Sequence, residues 1–221
     1  MATISTLLIE LLYLVVAAVS VDANTPVARR QSQGGVYPTP GPNSWPAPKN
    51  FTTPVGHFHN ESRYEPHINA TVEQFYWLDT SNYVPGGPVI IHAIGEDSPL
   101  YDFQWLQKGL LHDIANATGG VAVLWGQRYY SGGTIVPSLQ YTTENLRFHS
   151  TEPAMADLAY FSQRVNFPGL EGRNFTAPTT PWIILGGSYG GLISAFTRIQ
   201  YPGLFWGGLS SSGVTVPIDD N

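Results

Sequence analysis

The 221-residue chain has no cysteine, few charged residues and no basic stretch. Without cysteine there is no disulfide framework, so ordinary apolar packing must hold the fold together. Charged residues make up 12% of the chain and the net charge is -6, which argues against nucleic acid as a partner. Glycine and proline, with 23 and 18 residues, are instead abundant, as is typical of a turn-rich globular protein. No pattern in the sequence calls for a cofactor or a metal ion.

The first 50 residues lack the apolar periodicity of a packed domain. An apolar run at residues 11–19 is too short to span a bilayer and is followed by small residues, which predicts a signal peptide over residues 1–23. A buried N-terminal helix is the alternative, because no Lys or Arg precedes the run. Six prolines between positions 26 and 48 predict a linker or pro-segment over residues 24–50. No stable membrane anchor is expected.

Sequons for N-glycosylation are more frequent than chance would supply. Five asparagines lie in N-x-[ST] triplets without an intervening proline: Asn50, Asn60, Asn69, Asn116 and Asn174. Together with the N-terminal run, they predict a secreted, extracellular protein or one of a vacuolar or lysosome-like compartment. Arg29-Arg30 is either a dibasic processing site or a pair of solvated charges.

From residue 51 onward, short apolar runs alternate with helical patterns. Continuous apolar runs typical of strands covered on both faces occur at 88–94, 121–125 and 182–187, with an aromatic-rich run at 71–80 and a short one within 205–214. Helical patterns occupy 100–120, 151–166 with Thr151 as the N-cap, and 191–201. This alternation predicts an α/β fold with a mostly parallel sheet over residues 51–221.

One motif carries chemistry. Gly186-x-Ser188-x-Gly190 matches the G-x-S-x-G nucleophile elbow, in which a serine sits on a tight strand-to-helix turn. The glycines lack side chains where the backbones must pass closely, and Tyr189 N–H lies at a helix N-terminus, where it can donate to an oxyanion. The alternative is a glycine turn in which Ser188 only caps the helix.

The chain resembles the secreted serine peptidases of family S28, the prolyl carboxypeptidase and dipeptidyl peptidase II type, particularly fungal members. The segment "GGSYGGLISAFTRIQYPGLFWGGLSSSG" is very close to the family pattern, while "VGHF", "GGPVIIHAIGEDS", "WGQRYYSGG" and "LQYTTENLRFHSTEPAMADLAYF" resemble its upstream elements. Gln127 stands where the family's E-H-R-Y-Y-G pattern has histidine, and Gly126 where it has the acid.

The resemblance implies an α/β-hydrolase fold with a Ser-Asp-His triad that cleaves peptides near their ends, typically beside proline. It implies Ser188 as the nucleophile and Tyr189 N–H as one oxyanion donor. Gly95-Glu96 occupies the loop that supplies the second donor. Glu96 has two further interpretations, as a contact for a substrate amine or as a solvated loop carboxylate.

The residues that would activate Ser188 are not found downstream of it, where the fold places them. The 33 residues after Ser188 include Asp219 and Asp220 but no histidine; the six histidines all lie upstream, at 57, 59, 67, 92, 112 and 149. We therefore expect a chain truncated before the cap insertion and the last strands, the N-terminal part of a peptidase domain, essentially inactive alone.

The sequence thus predicts a secreted serine exopeptidase acting on peptides, with proline-containing substrates implied by the resemblance. It leaves open carboxypeptidase against dipeptidyl peptidase specificity, the pH optimum and the oligomeric state. Two alternatives also stay open: another secreted α/β-hydrolase such as an esterase or lipase, and a catalytically dead binding protein.

Overall fold

A computed structural model describes residues 47–96, 99–130 and 142–216. The predicted signal peptide, most of the linker, Arg29-Arg30 and the two C-terminal aspartates lie outside these residues. Six strands are described: β1 Lys49–Pro54, β2 Thr71–Asp79, β3 Val89–Ala93, β4 Val121–Trp125, β5 Trp182–Gly187 and β6 Gly207–Ser211. Four α-helices accompany them: α1 Pro99–Asp102, α2 Leu110–Thr118, α3 Thr151–Ser162 and α4 Ser188–Gln200. Short 3-10 turns lie at Ser62–Tyr64, Phe103–Leu106 and Asn145–Phe148.

The strands form one sheet in the order β1-β2-β4-β3-β5-β6. β2 runs antiparallel to both of its neighbours, whereas β3, β4, β5 and β6 are parallel to one another. Parallel strands place their carboxyl ends at one edge, so the segments that follow β3, β4, β5 and β6 meet there. The predicted α/β fold with a mostly parallel sheet is confirmed.

Helices cover both faces of the central strands, as the continuous apolar runs predicted. Every residue of β4 is buried. Adjacent residues of β2 point to opposite faces: the Tyr76 ring lies 5.1 Å from Phe161 of α3, and Trp77 lies 5.0 Å from Phe103 in the turn before α2. The larger core cluster lies under α3 and α4 and includes the fully buried Trp182.

Several element boundaries differ from the sequence prediction. The helix predicted over 100–120 is divided into α1, a 3-10 turn and α2. Gly109, just before α2, adopts φ 83°, outside the helical region, and a Cβ there would lie 2.7 Å from the Trp105 ring, so α2 is separated from the preceding turn. The N-cap of α3 is Ser150 rather than Thr151, and the Ser150 hydroxyl is bonded to the Tyr64 hydroxyl at 3.1 Å. The helix ends at Ser162, four residues before the predicted end.

β1 was not predicted, and it overlaps the end of the predicted linker. Lys49 and Asn50 already pair with Tyr76 and Phe75 of β2. Of the strand's six residues, only one is buried, so the strand lacks the apolar run by which the central strands were found.

Candidate active site

Ser188 lies at the junction between β5 and α4. β5 ends at Gly187 and α4 begins at Ser188, whose φ is 52°. This left-handed conformation is unfavourable for a residue with a Cβ, and strain of this kind is the mark of a nucleophile elbow. The Ser188 side chain is exposed. The turn therefore presents a hydroxyl to solvent at the carboxyl edge of the sheet.

The two flanking glycines have steric reasons to lack side chains. A Cβ on Gly186 would lie 2.0 Å from the carbonyl oxygen of Gly190, and a Cβ on Gly190 would lie 2.3 Å from the carbonyl oxygen of Ala93. Real Cβ atoms do not approach backbone so closely, so any substitution must push α4 away from β5 or β3. The G-x-S-x-G spacing is thus required by the packing of the elbow.

The loop after β3 touches the elbow. Ala93 of β3 is the partner of Gly186 of β5, so Gly95 and Glu96 follow β3 beside Ser188. A Cβ built on Gly95 would lie 3.4 Å from Gly190 N, ordinary contact distance. The Ser188 hydroxyl donates a hydrogen bond to Glu96 Oε1 at 3.3 Å. The structure therefore brings together the nucleophile candidate and both residues of the predicted second loop.

The residue that follows Ser188 packs against a second tyrosine. The Tyr189 ring lies 5.9 Å from the Tyr130 ring, and the Tyr130 hydroxyl is bonded to His149 Nε2 at 2.8 Å. Burial raises the pKa of Tyr189 to about 12, so its hydroxyl stays neutral. The main-chain N–H of Tyr189 is among the first four of α4, which have no partner within the helix.

No described hydrogen bond joins Ser188 to any of the six histidines, all of which lie in the described residues. His57 contacts Asp157, His59 and His67 pair their rings, His92 stacks on Trp105, His112 contacts the carbonyl of Leu106 and His149 contacts Tyr130. Each of the six histidines thus has a contact with another group in the described part of the chain.

Sequence reasoning missed a buried charge cluster behind the site. Arg128, three residues beyond the end of β4, donates to both carboxylate oxygens of Asp157 in α3 at 2.6 Å, and the side chains of both residues are 1% exposed. The same guanidinium donates to the carbonyls of Val55 and Phe148 at 3.1 and 3.4 Å. His57 Nε2 lies 2.7 Å from Asp157 Oδ1.

Burial would raise the pKa of Asp157, but the charge of Arg128 and the hydrogen bonds from His57 and Arg128 hold it below its ordinary value. A charged pair is thereby kept in the interior, where it ties the end of β1, the loop after β4 and α3 into one unit. The available signal was an arginine three residues after a fully apolar strand, in a chain with few charges.

Gln127 departs from the family pattern. Within the described part of the chain, its buried side-chain amide has no hydrogen-bond partner. The neighbouring Arg128 instead links this segment to the rest of the fold, because it donates hydrogen bonds to Asp157 and to the carbonyls of Val55 and Phe148.

Neither a metal cluster nor a membrane span is found in the described ranges. No group of three or more His, Cys, Asp or Glu side chains there is placed to hold a metal ion. No helix among those residues is long and apolar enough to cross a membrane.

Several curated proteins are similar in sequence to this chain. The model of the family "Serine carboxypeptidase S28" matches residues 59–219. A "Probable extracellular serine carboxypeptidase" of Arthroderma benhamiae is 45% identical over 194 residues, 88% of this chain and 26% of the relative. The human "Thymus-specific serine protease" is 30% identical over 63% of this chain and 26% of its own length. A mouse "Lysosomal Pro-X carboxypeptidase" is 28% identical over 67% and 29%.

Among solved structures, a probable hydrolytic enzyme of Pseudomonas aeruginosa gives a TM-score of 0.44 at 13% identity, covering 73% of this chain and 39% of the other. A fungal esterase of Rhizomucor miehei gives 0.42 at 16% identity, covering 81% and 47%.

The sheet order and the G-x-S-x-G elbow after β5 define the class of protein, an α/β-hydrolase fold. Within that class, the chain belongs to the serine carboxypeptidase S28 family. It spans about a quarter of the length of the curated relatives named above.

Proposed function

We propose that the chain is part of a secreted serine exopeptidase whose nucleophile is Ser188. The observation that carries the proposal is the exposed serine at φ 52°, confined between two glycines that pack against β3 and β5. Membership of a serine carboxypeptidase family and the extracellular relative in Arthroderma benhamiae support the same activity and location.

The chemistry follows from the position of the elbow. Ser188 Oγ attacks the peptide carbonyl carbon while a base takes its proton, and the carbonyl oxygen becomes an oxyanion. Tyr189 N–H and a main-chain N–H of the Gly95-Glu96 loop stabilise that oxyanion. Collapse of the intermediate expels the amine, which takes up the proton, and leaves an acyl-serine that water hydrolyses.

Because no described hydrogen bond joins Ser188 to any of the chain's six histidines, we expect the base to be a histidine outside these 221 residues. We therefore propose that the 221-residue chain alone hydrolyses peptides poorly. A serine without its base is a weak nucleophile, and residual catalysis would depend on the oxyanion donors and on binding.

Proline-directed specificity is the finer part of the proposal. It is supported by the family resemblance and by the name of the mouse relative, "Lysosomal Pro-X carboxypeptidase". Glu96 stands beside Ser188 where a substrate terminus would lie in an exopeptidase. An ionised carboxylate there attracts an α-ammonium group and repels a terminal carboxylate, so Glu96 bears on which terminus is accepted.

A matched peptide series tests the function. The full-length protein is given one sequence with both termini free, with an acetylated amino terminus, with an amidated carboxyl terminus or with both ends blocked, each with proline or alanine beside the scissile bond. We expect release of terminal residues, dependence on one free terminus, preference for proline and complete loss in Ser188→Ala. Cleavage within doubly blocked peptides, or turnover of p-nitrophenyl esters with no peptide release, would replace the exopeptidase by an endopeptidase or an esterase.

A further inference from the structure

The sequons occupy surface positions of the folded chain. All five asparagines are exposed: Asn50, Asn60, Asn69, Asn116 and Asn174. A glycan needs an exposed amide, since a bulky, hydrated sugar cannot be accommodated in a packed interior. The fold is therefore compatible with modification at every sequon.

The Asn174 sequon is fixed in place by hydrogen bonds within the sequon and by burial of its middle residue. Its side-chain oxygen accepts hydrogen bonds from the N–H and the hydroxyl of Thr176, at 2.9 and 2.7 Å. The intervening Phe175 is 2% exposed and lies in the main core cluster. The sequon thus forms a fixed turn at the surface, anchored by the residue between its two polar members.

Two sequons lie at the edge of the sheet opposite Ser188. Asn116 is near the end of α2, shortly before β4 begins, and Asn174 is in the segment that leads to the start of β5. The amino ends of these strands share one edge, while Ser188 follows the carboxyl end of β5.

The other three sequons lie on the β1–β2 side of the sheet, to one side of the site. Asn50 pairs with Phe75 of β2, at the level of Gly126 just beyond the carboxyl end of β4. Asn60 and Asn69 are in the connection between β1 and β2, so all three are at the Ser188 edge. In the sheet, β2 is three strands from β5, and adjacent strands are about 4.8 Å apart, so this connection starts about 14 Å to the side of the elbow.

We propose that the chain carries N-linked glycans confined to two regions, the edge opposite Ser188 and the β1–β2 flank. The carboxyl ends of β3, β5 and β6 stay bare, as a peptidase site requires. The glycan at Asn50 stands on β1, which has no second neighbouring strand among the described residues, and shields this edge strand from pairing with other chains. The inference rests on the proposed passage through the secretory pathway.

Site mapping in a yeast host tests the placement. The full-length protein is directed into the secretory pathway by a heterologous signal sequence, so that modification is tested independently of the native N-terminus. Enzymatic release of glycans in heavy-oxygen water then marks each formerly modified asparagine for mass spectrometry. We expect marks at the five asparagines. Unmarked asparagines in protein from which the signal has been removed would overturn the proposal.

Thr52 provides a matched pair of variants for the edge strand. Thr52→Ser keeps the Asn50 sequon and a hydroxyl, whereas Thr52→Ala removes both the sequon and the hydrogen bond to Glu73. Asn50→Gln removes the sequon and leaves that hydrogen bond in place. We expect more high-molecular-weight species by size-exclusion chromatography for Thr52→Ala and Asn50→Gln than for Thr52→Ser.

Equal association of the three variants would refute shielding by the Asn50 glycan. A separate expression with the native N-terminus distinguishes this inference from the proposed location. Failure of the native N-terminus to direct export, with marks still present under the heterologous signal, would overturn secretion and leave the glycan sites standing.

Discussion

The central strand β3 contains a histidine that should make the fold sensitive to acid. His92 stacks on Trp105 with the ring planes 15° apart and the centroids separated by 6.2 Å. Burial lowers the pKa of His92 from 6.5 to about 4, because the charged imidazolium would lose its hydration. The folded protein thus holds this residue neutral over a pH range in which the unfolded chain protonates it.

The sign and size of the effect follow from this difference. Above pH 6.5 the histidine is neutral in both states and has no pH-dependent effect. As the pH falls from 6.5 to about 4, the unfolded state takes up the proton first and the free energy of unfolding decreases. At about 1.4 kcal/mol per pKa unit, the loss is about 3 kcal/mol.

Replacing His92 by Phe removes the titration and keeps an aromatic ring against Trp105. We expect the free energy of unfolding, measured by urea titration with tryptophan fluorescence, to fall less between pH 7 and pH 4 in His92→Phe than in the wild type, by up to about 3 kcal/mol. His59→Phe, at an exposed histidine, is the control and should retain the wild-type dependence. Identical pH profiles for His92→Phe and wild type would refute the reasoning.

Three further substitutions probe the site and its support. Asp157→Asn leaves the buried Arg128 without its charge partner and should lower the free energy of unfolding by about 3–5 kcal/mol, measured by urea titration. Gly190→Ala should abolish peptide release, because its methyl group would clash with a β3 carbonyl 2.3 Å away and displace the elbow. Glu96→Gln should raise the KM of peptides with a free amino terminus by up to about fivefold, the value of an exposed charge pair, and leave N-acetylated peptides unchanged.

Matched variants are available for each of the three. Glu152→Gln removes an exposed ion pair with Arg63 and should cost less than about 1 kcal/mol. Gly203→Ala adds a methyl group with nothing within 4 Å and should leave activity intact. Stability losses of equal size in Asp157→Asn and Glu152→Gln, full activity in Gly190→Ala, or equal KM changes for both peptide types in Glu96→Gln would each contradict the corresponding prediction.

The central strands were predictable because burial on both faces leaves an uninterrupted apolar run. The runs at 88–94, 121–125 and 182–187 became β3, β4 and β5 with shifts of at most two residues. The elbow was predictable for a related reason: the clashes that exclude side chains at Gly186 and Gly190 are local, so they leave a local pattern.

What the sequence did not reveal depends on long-range contacts or on weak local signals. Asp157 meets His57 across 100 residues of sequence and Arg128 across 29, and no local period encodes such a pairing. β1 is an edge strand with little apolar surface, so it resembled a linker. The contact between Glu96 and Ser188, residues 92 positions apart, was expected only through the family resemblance, because no local pattern shows that the loops after β3 and β5 adjoin.

Covalent labelling tests the central claim, that Ser188 is the nucleophile, most directly. The full-length protein is treated with a fluorophosphonate probe and the modified residue is located by peptide mass spectrometry, beside Ser188→Ala and Ser210→Ala, a variant at an exposed serine of the adjacent strand. The account predicts a single label on Ser188, lost in Ser188→Ala and retained in Ser210→Ala. Absence of labelling in the wild type, or labelling that persists in Ser188→Ala, would contradict it.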